Sequence, residues 1–443
     1  MRFYFYKFSR LVIRLFLAIF YPNTRITNKE YLDFKNPTII VSNHPNTLLD
    51  PLNTASRIVP HSFFLINASL VKSKIGNWFF TTFYCVPIER AKDRGGRKIS
   101  NADSLAKCDE HLRNGGCLYI APQGYSEIKR RIDRIKTGTA RIALSAENSS
   151  DWKLGLEILP FGLNYQSPRF FRTDLLINTG EPLKVAKYQE AYNRDPFKAA
   201  KALTHDLQVA MELLLPDTKD DEEDAFVKQL EGIHQTELPL KMEPAFHRSK
   251  RMIQKLHGAD TDFYDKIKNA TESYRLDLES QNIDDHSVMK AISTKNSVFY
   301  LKHIGLIILG SPIFLYGAIN HLLLAGIPAV LPKIMKLYPG YDSNIKTLTG
   351  MILWPILYCL QGKFIFNLTN NWLITILYII TLYPLGVLAW KYKEKVKDFF
   401  KINRAKNFLK NNKIGLLEKR QKVLQFLSKL AQYPLPEIVS SEN

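Results

Sequence analysis

The sequence predicts an α/β fold, in which a central, mostly parallel or mixed β-sheet is flanked by helices, followed by a C-terminal α-helical membrane region. Two observations predict the sheet: short apolar runs alternate with helical stretches over residues 23–235, and glycine or proline stands where several of these runs end. This alternation is typical of strands covered by helices. A third observation, the sharp rise in apolar content within residues 297–390, predicts the membrane region.

The composition limits the class of partner. The chain has 443 residues, of which 46% are hydrophobic, and its formal net charge is +19. Such a chain can bury a core, and its basic excess suits an anionic partner: nucleic acid, an anionic membrane face or a phosphorylated substrate. The four cysteines form no C-x-x-C pair, so we predict no zinc site. Scattered free thiols fit a reducing compartment.

The first element, residues 1–22, is predicted to be a helix that lies at the membrane interface. It mixes Arg and Lys with Phe, Leu and Ile, and its apolar run is too short to cross a bilayer. A helix buried in the core of the protein is the alternative. The segment has no small-residue cleavage site, so we do not expect a secretory signal.

Residues 23–235 are predicted to form one sheet domain. Five apolar runs are interpreted as its strands, at residues 37–41, 61–66, 117–121, 156–163 and 173–178. A helix is predicted over residues 100–114, where Gly115 and Gly116 end it. The acidic stretch at residues 216–224 is interpreted as a solvated surface segment or a boundary.

Beyond the sheet domain, the composition predicts three further regions. Residues 236–296 are polar and form a helical connector, residues 297–390 form the transmembrane region, and residues 391–443 form a basic cytoplasmic tail. The transmembrane region contains three apolar segments, at residues 304–331, 347–366 and 372–390. Each approaches or exceeds the length that a helix needs to cross a bilayer.

The lysines between the apolar segments predict their orientation. Positive residues gather on the cytoplasmic side of a membrane, which places residues 332–346 and the basic tail there. Residues 347–366 and 372–390 then form a hairpin that crosses the membrane twice. Residues 304–331 begin and end on one side, by dipping in and returning near Asn320 and His321, by lying at the interface, or by making two thin crossings.

The first motif with chemical meaning is residues 43–50, which read NHPNTLLD directly after a predicted strand. A histidine at the end of a strand is exposed where the active sites of α/β sheets form. The nearby Asp50 could hold the imidazole of His44 in one tautomer and make it a general base. Taken alone, a loop histidine and a helix-capping aspartate is the plainer interpretation.

Three further motifs change that balance. Residues 86–90 read VPIER, residues 121–126 read APQGYS and residues 158–165 read ILPFGLNY, each on or after an apolar run, and residues 136–144 read KTGTARIAL. The motif at residues 43–50 and the motifs at residues 86–90, 121–126 and 158–165, in this order, resemble the phospholipid/glycerol acyltransferase superfamily of the bacterial PlsC type. The stretch at residues 136–144 adds to the resemblance. The resemblance covers residues 1 to about 215, and it implies a glycerol-phosphate-acyltransferase-like fold.

The resemblance also implies a one-step acyl transfer and a role for each matched residue. His44 would take the proton of the acceptor hydroxyl, Asp50 would orient His44, and no metal or bound cofactor takes part. The guanidinium of Arg90 would bind the acceptor phosphate, as its planar fork of donors suits. The remaining matched positions, implied to contact substrate, are Asn43, Gln123, Gly124, Ser126 and Pro160.

The implied acceptor is glycerol-3-phosphate or 1-acylglycerol-3-phosphate. The implied donor and partner is a thioester, either acyl-ACP, in which the acyl chain is carried by acyl carrier protein, or acyl-CoA. The expected location is the cell (inner) membrane, as an integral protein among membrane lipids with the catalytic domain in the cytoplasm. Nucleic acid is not expected as a partner, because the basic residues concentrate beside apolar segments.

Three departures from the family pattern keep alternatives open. Five residues separate His44 from Asp50, where four are commoner; the longer spacing resembles eukaryotic glycerol-3-phosphate acyltransferases. Tyr84 and Pro87 replace the usual Gly and Phe of the second motif, and Gln123 replaces the usual Glu of the third. Glutamine keeps the shape but loses the charge. The alternatives are a catalytically silent lipid-binding membrane protein and an O-acyltransferase that acts on an amino-acid lipid.

Overall fold

The computed structural model describes residues 2–68, 74, 78, 80, 85–89, 101–336 and 339–432. Within it the chain divides into two compact units. Unit 1 consists of Met1–Asp217 and Leu337–Thr347, and unit 2 consists of Thr218–Lys336 and Leu348–Asn443. Unit 1 contains all of the motifs that the sequence singles out as chemically meaningful.

Unit 1 is built on a mixed β-sheet. Its described strands are β1 (Thr24–Ile26), β2 (Thr38–Ser42), β3 (Ser62–Asn67), β4 (Cys85–Ile88), β5 (Cys117–Ile120), β6 (Glu157–Tyr165), β7 (Leu175–Thr179) and β8 (Leu183–Lys184). They lie in the order β1-β7-β6-β2-β5-β3-β4, with β8 paired to β6. Only the β6–β7 and β6–β8 pairs within this sheet are antiparallel. The predicted fold class is therefore confirmed.

Strand β2 lies at the centre of the sheet and fixes its register. It pairs in parallel with β5, where Ile40 lies opposite Tyr119, and with β6, where Ile40 lies opposite Leu159. All five residues of β2 are buried. A strand buried on both faces reads as a continuous apolar run, which is why the sequence reveals it.

Helices cover both faces of the sheet. The helices of unit 1 before residue 217 are α1 (Arg2–Phe20), α2 (Leu49–Ala55), α3 (Ala102–Arg113), α4 (Gly138–Asn148), α5 (Gln189–Arg194) and α6 (Pro196–Glu212). Because side chains alternate along a strand, Ile39 and Val41 pack in one core with α3, α4 and α6. Ile40 packs in the other core with Leu17 of α1 and Leu49 of α2.

The sequence located the main strands more accurately than the short ones. The five predicted strands appear as β2, β3, β5, β6 and β7, each shifted by no more than about two residues at either end. The described part of the predicted helix over residues 100–114 is α3. Strands β1 and β8 have three and two residues, too few for a periodic pattern to show.

Every described element of secondary structure in unit 2 is a helix. Its helices are α7 (Asp221–Glu237), α8 (Met242–Gly258), α9 (Thr261–Ser280), α10 (Asp285–Ser293), α11 (Asn296–Asn320), α12 (Leu322–Met335), the greater part of α13 (Asp342–Thr369), and α14 (Trp372–Gln432), which kinks at Asn412. A buried Arg420 pairs with Asp285 at 2.7 Å, and Tyr274 donates to the same carboxylate at 2.7 Å. This polar cluster is internally satisfied, as a buried charge requires.

Three described helices are long and apolar enough to cross a membrane: Ser297–Asn320, Asp342–Thr369 and the chain from Trp372 onward. The predicted apolar segment 304–331 is divided between α11 and α12, which meet at His321. Polar side chains gather at this break: Asn320 donates to the Tyr316 carbonyl at 2.8 Å, and His321 lies 2.9 Å from the Tyr358 hydroxyl.

Candidate active site

The first and third motifs meet at one edge of the sheet. Residues 43–50 follow β2, and residues 121–126 follow β5. Because β2 and β5 are parallel neighbours, their carboxyl ends lie side by side. A backbone hydrogen bond of 3.0 Å joins the Glu127 N–H to the His44 carbonyl oxygen, and the Thr47 N–H donates to Ser126 Oγ at 3.2 Å. The parallel pairing of β2 and β5 therefore brings the two motifs together.

His44 and Asp50 form a dyad. Nδ1 of His44 lies 3.0 Å from Oδ2 of Asp50, and the histidine side chain is 19% exposed while the carboxylate is fully buried. Since an ionised carboxylate only accepts hydrogen bonds, the proton of this pair belongs to Nδ1. Nε2 is then the basic nitrogen that can take a proton from a substrate. The predicted pairing is present in the structure.

Asp50 receives two more hydrogen bonds besides that of His44. The Asn46 N–H donates to Oδ2 at 2.7 Å, and the Tyr165 hydroxyl donates to Oδ1 at 2.8 Å. Burial raises the pKa of the Asp50 carboxyl, and the bonds from His44, Asn46 and Tyr165 oppose that rise. The hydrogen bonds thus favour the ionised carboxylate that a dyad needs, although burial has the larger effect and leaves the pKa of Asp50 above its ordinary value.

The loop between His44 and Asp50 has a strained backbone. Thr47 has a φ of +38°, a left-handed conformation that β-branched residues rarely adopt. Asp50 lies in the first turn of α2, which begins at Leu49. The extra residue between His44 and Asp50 is accommodated in this bent segment, and the imidazole still reaches the carboxylate.

The third motif forms a tight turn beside the dyad. The Gly124 N–H donates to the Ala121 carbonyl at 3.0 Å, and Gly124 has a φ of +75°, which suits glycine. A Cβ at this position would lie 2.9 Å from Nζ of Lys136. Gln123, where the family has glutamate, is 5% exposed.

A basic loop continues from this turn. The cations between β5 and α4 are Lys129, Arg130, Arg131, Arg134 and Lys136. Two carboxylates offset them: Lys129 contacts Glu127 at 2.8 Å and Asp133 at 2.9 Å. The loop therefore carries a net positive charge next to the backbone of His44.

The remaining predicted positions differ in what the structure shows. Both ends of the Asn43 amide bond the backbone of Leu163, at 2.7 and 3.1 Å, so this side chain ties β2 to β6. Pro160 lies within β6 opposite Val41. Strand β4 ends at Ile88, whereas Arg90 and Tyr84 lie outside the described residues.

Sequence reasoning assigned no role to three residues that support the dyad. Tyr165, at the end of the fourth motif, reaches Asp50 across the parallel β2–β6 pair. Asn46, inside the first motif, donates from its side chain to the Tyr21 hydroxyl at 2.6 Å. The position of Tyr165 at the carboxyl end of β6 was a usable signal; the contact with Tyr21 had none. Among the residues that the structure describes, no cluster of histidines, cysteines and carboxylates could hold a metal ion.

Comparison with known proteins gives a consistent result for this region. Residues 23–164 match the family model described as Acyltransferase. Glycerol-3-phosphate O-acyltransferase 2 of Saccharomyces cerevisiae is 26% identical over 59% of this chain and 38% of its own length. Glycerol-3-phosphate O-acyltransferase 1 of the same yeast is 26% identical over 47% of this chain and 28% of its own length. The matched part of the chain thus spans less than two fifths of either relative.

One solved structure is also similar. It is the crystal structure of the 1-acyl-sn-glycerophosphate acyltransferase PlsC from Thermotoga maritima, at 18% identity and a TM-score of 0.35. The match covers 48% of this chain and 80% of that one.

Proposed function

Because residues 23–164 match the family model described as Acyltransferase, we propose that the chain transfers a fatty acyl group from a thioester to the hydroxyl of a glycerol-phosphate acceptor. The observation that carries this proposal is the dyad: His44 Nδ1 lies 3.0 Å from a fully buried Asp50 carboxylate, and Nε2 is left as the base. A histidine whose tautomer is set by a carboxylate is suited to general-base catalysis.

The reaction proceeds in one step of substitution at the thioester. Nε2 of His44 takes the proton of the acceptor hydroxyl as its oxygen attacks the carbonyl carbon. A C–O bond forms, the C–S bond breaks, and the proton passes to the leaving thiolate, which yields an ester and a free thiol. Asp50 holds the imidazole in the required tautomer and stabilises its positive charge.

The acceptor is glycerol-3-phosphate or its 1-acyl form, and the donor is acyl-ACP or acyl-CoA. The basic loop of residues 129–136 supports a phosphorylated acceptor, because it carries five cations and one carboxylate beside His44. Arg90, one residue beyond the described end of the second motif, is the proposed phosphate ligand. Arg90→Ala should mainly raise the apparent KM for the acceptor, since the phosphate is remote from the reacting hydroxyl.

The protein works at a membrane, with its catalytic unit in the cytoplasm, where soluble thioesters are supplied. Helix α1 supports this location: one stripe of its surface exposes large apolar side chains, namely Tyr4, Phe8, Leu11 and Leu15. The other side is buried, with Leu17 and Phe20 in the core of unit 1. An apolar stripe at helical spacing, left uncovered and flanked by basic residues, suits an interfacial helix.

Gln123 favours a second candidate. A neutral amide where the family has a carboxylate suits an acceptor without the usual charge pattern, such as an amino-acid lipid, or a protein that binds lipid without catalysis. Transfer from radiolabelled acyl-CoA and acyl-ACP to glycerol-3-phosphate, 1-acylglycerol-3-phosphate and a hydroxylated amino-acid lipid separates these candidates. We expect transfer to a glycerol phosphate that His44→Ala abolishes. A wild-type chain that acylates nothing would instead support the silent lipid-binding protein.

A further inference from the structure

A short segment from between the apolar helices completes unit 1. Residues 337–347 belong to this unit, although about 120 residues of unit 2 separate them in sequence from Asp217. The described part includes Ser343 and Asn344, at the start of α13, which are 1% and 3% exposed. Two adjacent buried polar side chains need partners, and they find them in the loop that joins His44 to Asp50.

Asn344 holds this loop at two points. Its Oδ1 accepts a hydrogen bond of 3.0 Å from the Leu49 N–H. The same N–H also donates to the Asn46 carbonyl oxygen at 3.0 Å. Its Nδ2 donates to Oδ1 of Asn46 at 3.2 Å and to the Gly340 carbonyl at 2.9 Å. The Ser343 hydroxyl donates to the same Oδ1 of Asn46.

Asn46 thereby has every polar atom of its side chain engaged. Oδ1 accepts from Ser343 and Asn344, and Nδ2 donates to the Tyr21 hydroxyl at 2.6 Å and to the Pro168 carbonyl at 3.1 Å. The backbone N–H of Asn46 donates to Asp50 Oδ2 at 2.7 Å, the oxygen that faces His44. One residue therefore links the segment at 343–344 to the dyad.

The loop needs such support because its conformation is strained. Thr47, with a φ of +38°, lies between Asn46 and Leu49, the two loop residues that Asn344 contacts. Backbone in this region persists only where the surroundings hold it. A salt bridge strengthens the attachment: Nη2 of Arg169 lies 2.8 Å from Oδ2 of Asp342, next to Ser343.

We propose that Ser343 and Asn344 are positioning residues that hold the loop between His44 and Asp50 in its reactive geometry. The proposal rests on the acyl transfer proposed above, and it gives neither residue a contact with substrate. A displacement of the dyad by about 1 Å can lower a rate by about 10²-fold without weakening substrate binding.

The test uses the full chain in detergent, with two readouts. In Asn344→Ala, kcat should fall by about 10²-fold with KM changed less than about threefold. Hydrogen exchange followed by mass spectrometry should be faster for the amides of residues 46–50 and unchanged in β2. Ser343→Ala should show the same pattern more weakly, since Asn46 Oδ1 keeps its bond to Asn344, and it serves where the first variant fails to fold.

Asn178→Ala is the matched control, because Asn178 is a buried asparagine of unit 1 that donates to the Leu214 carbonyl at 3.1 Å and does not contact the dyad. It should lower thermal stability while leaving exchange at residues 46–50 slow. If the amides of residues 46–50 exchange faster in Asn344→Ala but kcat is unchanged, the positioning role is overturned. If their exchange is unchanged, Asn344 does not hold the loop. A wild-type chain without any transferase activity would refute the proposed function, while the exchange experiment would still decide the contact.

Discussion

The Tyr165 hydroxyl donates a hydrogen bond of 2.8 Å to Oδ1 of Asp50, the oxygen that does not face His44. Oδ1 of this buried carboxylate thus accepts from Tyr165, whereas Oδ2 faces His44 and accepts from the Asn46 N–H. Asn53 in turn donates to the Tyr165 hydroxyl at 3.1 Å, so the tyrosine is oriented as well as present. This relationship gives Asp50 a support that can be removed without touching His44.

Tyr165→Phe should shift the acidic side of the pH–activity profile to higher pH. The Tyr165 bond lowers the pKa of Asp50 against the effect of burial, so its loss raises that pKa further. As the pH falls, Asp50 then becomes protonated at a higher pH in Tyr165→Phe than in the wild type. Activity that needs the carboxylate is therefore lost at a higher pH in the variant. The measurement is kcat/KM against pH for both proteins.

Tyr188→Phe is the control for that shift, because the Tyr188 hydroxyl donates to Asp206, a similar pair in unit 1 that takes no part in the dyad. Its pH profile should match that of the wild type. Superimposable profiles for Tyr165→Phe and the wild type would mean that the Tyr165 bond does not tune Asp50.

Asp50→Asn should reduce activity less than His44→Ala. Removal of the base is expected to cost about 10²–10⁴-fold in kcat, whereas the asparagine leaves the base in place and disturbs its tautomer and orientation. Single-turnover acyl transfer measures both. The opposite order, with Asp50→Asn the more damaging, would show that the carboxylate does more than orient the imidazole.

Gly124→Ala should lose activity and stability together. The left-handed backbone costs an alanine about 1–2 kcal/mol. Its Cβ would also meet the Lys136 ammonium at 2.9 Å, but this is the far end of a flexible side chain that can move aside, so the backbone cost is the main effect. The turn beside His44 would therefore shift. Gly138→Ala is the control, because a Cβ there meets nothing within 4 Å. Melting temperature and kcat/KM for both variants are the measurements; equal behaviour of the two would count against the strained turn.

Gln123→Glu should maintain or raise activity if the acceptor is an ordinary glycerol phosphate, since it restores the residue usual in the family. Gln189→Glu, at an exposed position that begins α5, adds the same charge away from the site. Initial rates with each acceptor measure the effect. Complete loss in Gln123→Glu alone would show that the pocket accepts a different substrate.

The membrane topology can be tested by cysteine labelling. Single cysteines at residues 320, 336, 369 and 410, in a chain without its four native cysteines, are exposed to an impermeant reagent from outside. Helix α12 has 14 residues and is about 21 Å long, too short to cross the bilayer, so the segment that ends at Lys336 need not reach the far side at Asn320. We expect label at Thr369→Cys alone, with Asn320→Cys, Lys336→Cys and Lys410→Cys unlabelled in intact membranes. Label at either lysine position in intact membranes would overturn this arrangement.

The sequence predicted the parts of the fold that depend on local pattern. Buried strands such as β2 appear as apolar runs. His44 and Asp50 are only six positions apart, so a single turn of the chain is enough to bring their side chains together. Side chains at the ends of parallel strands could be expected at one edge of the sheet. The family resemblance, and not the pattern of residues, supplied the roles.

The sequence could not predict contacts that depend on long-range packing. Asn344 lies 295 positions from Leu49, and nothing in its neighbourhood marks it as part of a catalytic loop. The division of the segment 304–331 at His321 was suggested by two polar residues, but its helical geometry was not. Such features arise when distant residues satisfy each other's buried polar groups, which no local pattern records.

The position of residues 337–347 in unit 1 has a consequence for how the protein is made. A ribosome adds about 5–20 residues per second, so Asn344 follows Asp217 by a delay on the order of ten seconds. During that time every described strand of the sheet has been synthesised, yet Asn46 Oδ1 lacks its two donors, Ser343 and Asn344. The helices α11 and α12 are synthesised within the same interval. The nascent chain therefore acquires its finished catalytic loop only after its first apolar helices have left the ribosome, and a chain released before residue 343 would lack the side chains that contact Asn46.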